Sequence, residues 1–203
     1  MLRDYLGEKD KSMTRLTRRG ALGLGAAGVA AACSTMDASS YRGRVEFRHG
    51  VASGDPTQNK VVLWTRVTPA GIGPVPVMWT ISRDPSFKSI AKRGTVVTGP
   101  DRDYTVKVDV DGLAPGETYY YWFVCGRVSS PSGKTKTLPA GGTADYRMVV
   151  ASCSNWPLGY FNAYREISKR KDLDAVIHLG DYIYEYGQTG YGGAVGKELD
   201  RNH

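Results

Sequence analysis

Tyr104-Thr105-Val106-Lys107-Val108-Asp109-Val110 alternates apolar and polar residues, and Tyr119-Tyr120-Tyr121-Trp122-Phe123-Val124 follows a turn at Pro115-Gly116. Successive side chains of an extended strand point to opposite faces. The first run therefore gathers Val106, Val108 and Val110 on one side, and the second gathers Tyr119, Tyr121 and Phe123. Upstream, Val61 to Val67 carries Leu63 and Trp64, Val75 to Ser82 carries Val77, Trp79 and Ile81 on one face, and Gly94 to Thr98 is a further β-branched run. Gly54-Asp55-Pro56, Asp84-Pro85 and Gly99-Pro100 separate these runs with turn chemistry. Short strands at such regular spacing predict an all-β sandwich over residues 45–138.

Downstream the period changes. Residues 129–144 are rich in Ser, Gly, Thr, Lys and Pro, which suits a boundary or the last edge of the sandwich. Arg147 to Ala151 and Asp174 to Leu179 are continuous buried-type strands, and Tyr160, Tyr164 and Ile167 fall at i, i+4 and i+7 between them, one face of a helix. This spacing predicts a βαβ unit with a parallel strand pair, so residues 145–203 begin an α/β domain. From Gly187 the chain is glycine-rich.

The first 33 residues have the layout of a signal peptide. Arg15, Arg18 and Arg19 are positive, Ala21 to Ala32 is a short run of small and apolar residues, and Cys33 follows. The apolar run is too short to span a bilayer stably. Thr17-Arg18-Arg19-Gly20-Ala21-Leu22 resembles a twin-arginine export signal, with Ala21 where a larger apolar residue is usual. Export through the twin-arginine machinery to the periplasm or beyond is expected. Val29-Ala30-Ala31-Ala32 before Cys33 resembles a lipoprotein cleavage box without its usual Leu. Lipidation of Cys33, the one route to membrane attachment, and ordinary cleavage nearby both stay open. Residues 34–44 are expected to be a polar linker.

In open α/β sheets, ligands bind beyond the carboxyl ends of the strands. Those ends carry Ser152-Cys153-Ser154-Asn155 and His178-Leu179-Gly180-Asp181-Tyr182-Ile183-Tyr184. Parallel neighbours place Cys153 and Asp181 on one rim, and Tyr184 can swing back to the same point. A thiolate, a carboxylate and a phenolate suit a strongly Lewis-acidic metal, and the carboxylate can bridge to a harder ion. His49 and His178 are expected to be structural. The bland alternative for Cys153 is a disulfide with Cys125.

Gly180-Asp181-x-x-Tyr184 resembles the second metal motif of purple acid phosphatases and PhoD-like phosphatases. Ser152-Cys153-Ser154, in place of the Asp-x-His of ordinary metallophosphoesterases, resembles the PhoD-like group alone. Phe47-Arg48-His49-Gly50-Val51-Ala52-Ser53-Gly54-Asp55-Pro56, followed by Leu63-Trp64-Thr65-Arg66, is similar to that family's amino-terminal β-domain. Leu113-Ala114-Pro115-Gly116-Glu117-Thr118-Tyr119 resembles the tyrosine corner of fibronectin type III domains. The resemblance implies a fibronectin-III-like sandwich followed by the first βαβ unit of an α/β metallophosphoesterase domain. It implies hydrolysis of phosphate mono- and diesters, with Cys153, Asp181 and Tyr184 as ligands of an iron(III) and calcium centre. Family members continue for several hundred further residues that carry Asn, Asp and His ligands. The expectation is thus of a chain that stops after its second metal motif and is inactive by itself.

Composition is that of an ordinary globular protein, 41% hydrophobic and 23% charged over 203 residues. The net charge of +7 is partly the signal's, since residues 1–32 hold six basic and three acidic side chains. The remaining mild excess describes a soluble surface, and no nucleic-acid-binding module is expected. The alternative to an enzyme is an exported β-sandwich binding module without catalysis.

Overall fold

The computed structural model describes residues 37–142, 145–184, 186 and 190–198. Arg18, Arg19 and Cys33, with the whole expected signal peptide, lie outside the described residues. Two compact units meet in sequence between Thr137 and Leu138.

The first unit is built of strands, β1 (Val45–Glu46), β2 (Val51–Gly54), β3 (Val61–Arg66), β4 (Thr68–Pro69), β5 (Val75–Ser82), β6 (Ile90–Thr98), β7 (Thr105–Val110), β8 (Thr118–Cys125), β9 (Val128–Ser129) and β10 (Gly133–Lys136). They form a five-stranded sheet in the order β10-β8-β5-β6 with β9 also on β8, a three-stranded sheet β2-β3-β7, and the pair β1-β4. All of these pairings are antiparallel. The alternation visible in the sequence is the alternation of burial. β3 hides Val61, Leu63 and Thr65, β7 hides Val106, Val108 and Val110, and β8 hides Tyr119, Tyr121, Phe123 and Cys125. With Val75, Val77 and Ile81 of β5 their apolar side chains make one cluster, so the two larger sheets share a core. Each large side chain taken fully out of water there contributes about 1.5–3 kcal/mol.

Cross-strand neighbours complete the packing. Trp79 stands opposite Gly94 on β6, and its indole lies 2.8 Å from where a Cβ at 94 would sit. The glycine is needed because the ring occupies that space. Tyr121 covers Gly133 of β10 in the same way. The Tyr119 hydroxyl accepts the Ala114 N–H at 2.9 Å. Thr137 Oγ1 accepts the Glu117 N–H at 3.0 Å and donates to the Ala114 carbonyl at 2.7 Å, which pins the β7–β8 connection.

Some bounds differ from the expected ones. β6 begins at Ile90, four residues before the expected run, because Ile90 to Arg93 take their order from pairing with β5 and show little burial of their own. β10 has no apolar run at all; its Gly-Lys-Thr-Lys is an edge strand, where lysines discourage further pairing. Within the expected linker, Asp37 caps a short 3-10 turn over Ala38–Ser40. Ala38 is buried, and its carbonyl accepts the Gly126 N–H at 2.8 Å.

The second unit holds β11 (Met148–Ala151), helix α1 (Asn162–Lys169), β12 (Ala175–His178) and helix α2 (Gly193–Glu198). β11 and β12 pair in parallel. Tyr160, expected on the helix face, precedes α1 and is exposed, because the chain enters the helix only after Phe161, whose backbone is not helical. The strands were expected to be buried, yet Val150 is 59% and Val176 53% exposed. Parallel strands are normally covered on both faces, and α1 buries no residue of its own. Among the described residues no helix is long and apolar enough to cross a membrane.

Candidate metal centre

The register of the parallel pair sets Ala151 level with His178, so both strands end at one rim. Backbone bonding continues past the ladder. Leu179 N–H donates to the Ala151 carbonyl at 2.8 Å, Cys153 N–H to Gly180 at 3.2 Å, and Ser154 N–H to Asp181 at 2.9 Å. At this point both chains turn through left-handed backbone, with φ of 64° at Cys153 and 51° at Asp181. Non-glycine residues there are strained and persist only where neighbours hold them. Gly180, at φ 114°, takes a conformation that a side chain would oppose.

Asp181 Oδ2 accepts the Tyr184 hydroxyl at 3.0 Å, and Cys153 Sγ lies 3.6 Å from the same oxygen. The structure thus brings together all three residues singled out from the sequence. Cys153 and Asp181 are exposed and open to a ligand. The Cys153 sulfur holds the Tyr184 phenol above its ordinary pKa, with burial and the Asp181 carboxylate adding to the effect. A thiol and a phenol that meet on one carboxylate oxygen are donors a cation would draw together, so the donor set fits a metal ion. Among the described residues no group of three or more His, Cys, Asp and Glu side chains gathers; the third donor of this trio is a tyrosine.

The other expectations divide cleanly. Cys125 and Cys153 are both free thiols, and burial pushes the Cys125 thiol up to about 11, which keeps it protonated and inert. His49 lies in the first unit, where its Nε2 is 2.8 Å from Arg66 Nη1 while Arg66 forks onto Asp103 at 2.7 and 3.1 Å. His178 is less bland than expected, since it stacks on Tyr164 and bonds to its hydroxyl at 2.9 Å beside the trio. Nothing in the i, i+4 spacing marked Tyr164 as more than a packing residue. A cavity of about 390 Å³ opens beside Tyr184, walled by Trp156, Phe161, Tyr164, Tyr182 and Ile183.

Comparison with known proteins follows the same two-part layout. The model of the PhoD-like phosphatase N-terminal domain matches residues 30–139, and that of PhoD-like phosphatase matches residues 148–203, which include Cys153, Asp181 and Tyr184. Alkaline phosphatase D of Bacillus subtilis (strain 168) is 44% identical over 165 residues, 77% of this chain and 28% of that protein. The solved structure of PhoD aligns with a TM-score of 0.66 at 46% identity, covering 70% of this chain and 29% of the other. The chain therefore spans less than a third of the length of these relatives. Two family domains in succession, with the metal-type trio inside the second, mean that the chain belongs to the PhoD-like phosphatase family.

Proposed function

We propose that the chain supplies the β-domain and the first metal-binding strand pair of an exported phosphoesterase acting on phosphate mono- and diesters. The observation that carries this reading is the meeting of Cys153 and Tyr184 on one oxygen of Asp181. Cys153 and Tyr184 would hold iron(III), and Asp181, between them, would bridge to calcium, the metal pair that the family resemblance implies. Bound there, the pair would supply Lewis-acid polarisation of the phosphoryl oxygens and activation of water. The chain's own part is to present three anionic donors at a rim open to solvent, on turns that the strand pair holds in place.

In this reading residues 45–138 are a fibronectin-III-like sandwich, residues 34–44 a linker, and residues 145–203 the opening βαβ unit of the metallophosphoesterase domain. Residues 1–33 are a twin-arginine signal that delivers the protein to the periplasm or beyond, with Cys33 as a site for a lipid anchor. A fusion of residues 1–40 to a folded reporter should reach the periplasm, and the pair Arg18→Lys and Arg19→Lys should keep it in the cytoplasm. Normal export of the double variant would refute the twin-arginine route.

The 203-residue chain by itself is catalytically silent in this account. Two-metal chemistry needs both ions fixed by number and geometry of ligands with support behind them, and the trio offers three donors for two ions. The test is hydrolysis of bis-p-nitrophenyl phosphate with iron and calcium supplied. The chain alone should match its Cys153→Ala, Asp181→Ala control. A chimaera continuing it with the remaining residues of Bacillus subtilis alkaline phosphatase D should turn over. An inactive, folded chimaera would count against the phosphoesterase reading.

A further inference from the structure

Cys153 and Asp181 share an unusual feature: both sit in left-handed backbone, and their side chains approach to 3.6 Å. Non-glycine residues in this conformation are strained, so something nearby must keep them there. The hydrogen bonds of Ser154, Tyr164 and His178 surround both. Gly180 N–H donates to His178 Nδ1 at 3.3 Å. A neutral imidazole that accepts at Nδ1 carries its proton on Nε2, and this nitrogen donates to the Tyr164 oxygen at 2.9 Å. The Tyr164 hydroxyl in turn donates to the Ser152 carbonyl at 3.3 Å and accepts from Ser154 Oγ at 2.9 Å. Ser154 Oγ also lies 3.4 Å from His178 Nε2.

These contacts fall at the residues flanking the strained ones. Ser152 and Ser154 lie on either side of Cys153, and Gly180 immediately precedes Asp181. The network is itself clamped: the His178 ring lies between Tyr164, stacked at 6.1 Å, and Tyr182, edge-on at 5.0 Å. Tyr164 enters from α1, braced by Phe161 at 5.7 Å. We propose that Tyr164 and His178 are positioning residues, which fix the two turns so that Cys153 and Asp181 stand at metal-ligand spacing before any metal arrives. The inference rests on the metal-centre reading of the trio, and its claim about backbone geometry can be measured without metal.

The experiment uses the isotopically labelled 203-residue chain, metal-free, in its native form and as Tyr164→Phe, His178→Leu and His178→Gln. Long-range proton–nitrogen spectra report the His178 tautomer, and backbone couplings report φ at Cys153 and Asp181. The native chain should show the Nε2-protonated tautomer and positive φ at both residues. Tyr164→Phe and His178→Leu should lose positive φ at one or both turns while the amide spectrum of residues 37–137 stays unchanged. His178→Gln, whose amide can accept from Gly180 and donate to Tyr164, should retain it. Cobalt(II), titrated as the probe, should bind about 10–100-fold more weakly to Tyr164→Phe and His178→Leu than to the native chain and to His178→Gln. Unchanged couplings in Tyr164→Phe and His178→Leu would overturn the proposal. Equal cobalt binding by the native chain and Cys153→Ser would instead refute the metal reading, with the couplings still deciding the role of Tyr164 and His178.

Discussion

Replacing Tyr184 by Phe removes the hydroxyl that donates to Asp181 Oδ2 and keeps the ring that helps wall the aromatic cavity. A phenolate on iron(III) gives a charge-transfer band in the visible, so the chimaera isolated with iron should be coloured. Tyr184→Phe should bleach or shift that band while circular dichroism stays the same. A colourless native protein carrying stoichiometric zinc would contradict the iron assignment. The trio was legible in the sequence because three uncommon donor types sit at the ends of two runs that any α/β reading makes neighbours. Tyr164 and His178 were not. A tyrosine on a helix face and a histidine within an apolar strand resemble packing residues until the hydroxyl and imidazole are placed against the backbone of Ser152 and Gly180. The left-handed turn at Cys153 was equally hidden, since cysteine gives no sign of that conformation, whereas at Asp181 the residue type only tolerates it.

Among the elements, the β7–β8 connection and the β5–β6 loop carry separate predictions. Tyr119→Phe leaves the Ala114 N–H without its acceptor beside a fully buried ring. An orphaned donor of this kind costs about 1–3 kcal/mol, so the urea midpoint should fall with the slope unchanged. A midpoint equal to the native one would mean that water replaces the hydroxyl. In the β5–β6 loop, Asp84 accepts from the Ser86 hydroxyl and from the backbone of Ser86, Lys88 and Ser89, which presents Phe87 to stack on Trp122 at 4.0 Å. Those bonds, the Ser86 hydroxyl first, hold the Asp84 carboxyl well below its ordinary 3.8. A depressed folded pKa adds stability above the unfolded value that is lost as pH falls below it. Between about pH 6 and about pH 2 the native unit should therefore lose more stability than Asp84→Asn; parallel curves would remove Asp84 from the acid limb. The long strands were readable because Val106, Val108 and Val110, and Tyr119, Tyr121 and Phe123, repeat with the period of burial. β10 and the start of β6 carry no such period and exist because a neighbouring strand offers its backbone groups.

At the scale of the molecule, one unit encloses its own core and the other exposes much of its apolar surface. Tyr182, Ile183 and Leu179, all close to the metal-type trio, are 69–70% exposed. The structure divides the chain between Thr137 and Leu138, within the Ser-, Gly- and Pro-rich stretch 129–144 that precedes the change of period in the sequence. The account turns on whether Cys153, Asp181 and Tyr184 hold the catalytic metal. Its most direct test is the iron content of the purified chimaera, native and Asp181→Asn, after dialysis against a chelator too weak to strip an intact site. The native protein should retain close to one iron per chain. Asp181→Asn should retain almost none while keeping its circular dichroism. Equal iron in the two would contradict the assignment of Asp181 and, with it, the centre proposed here.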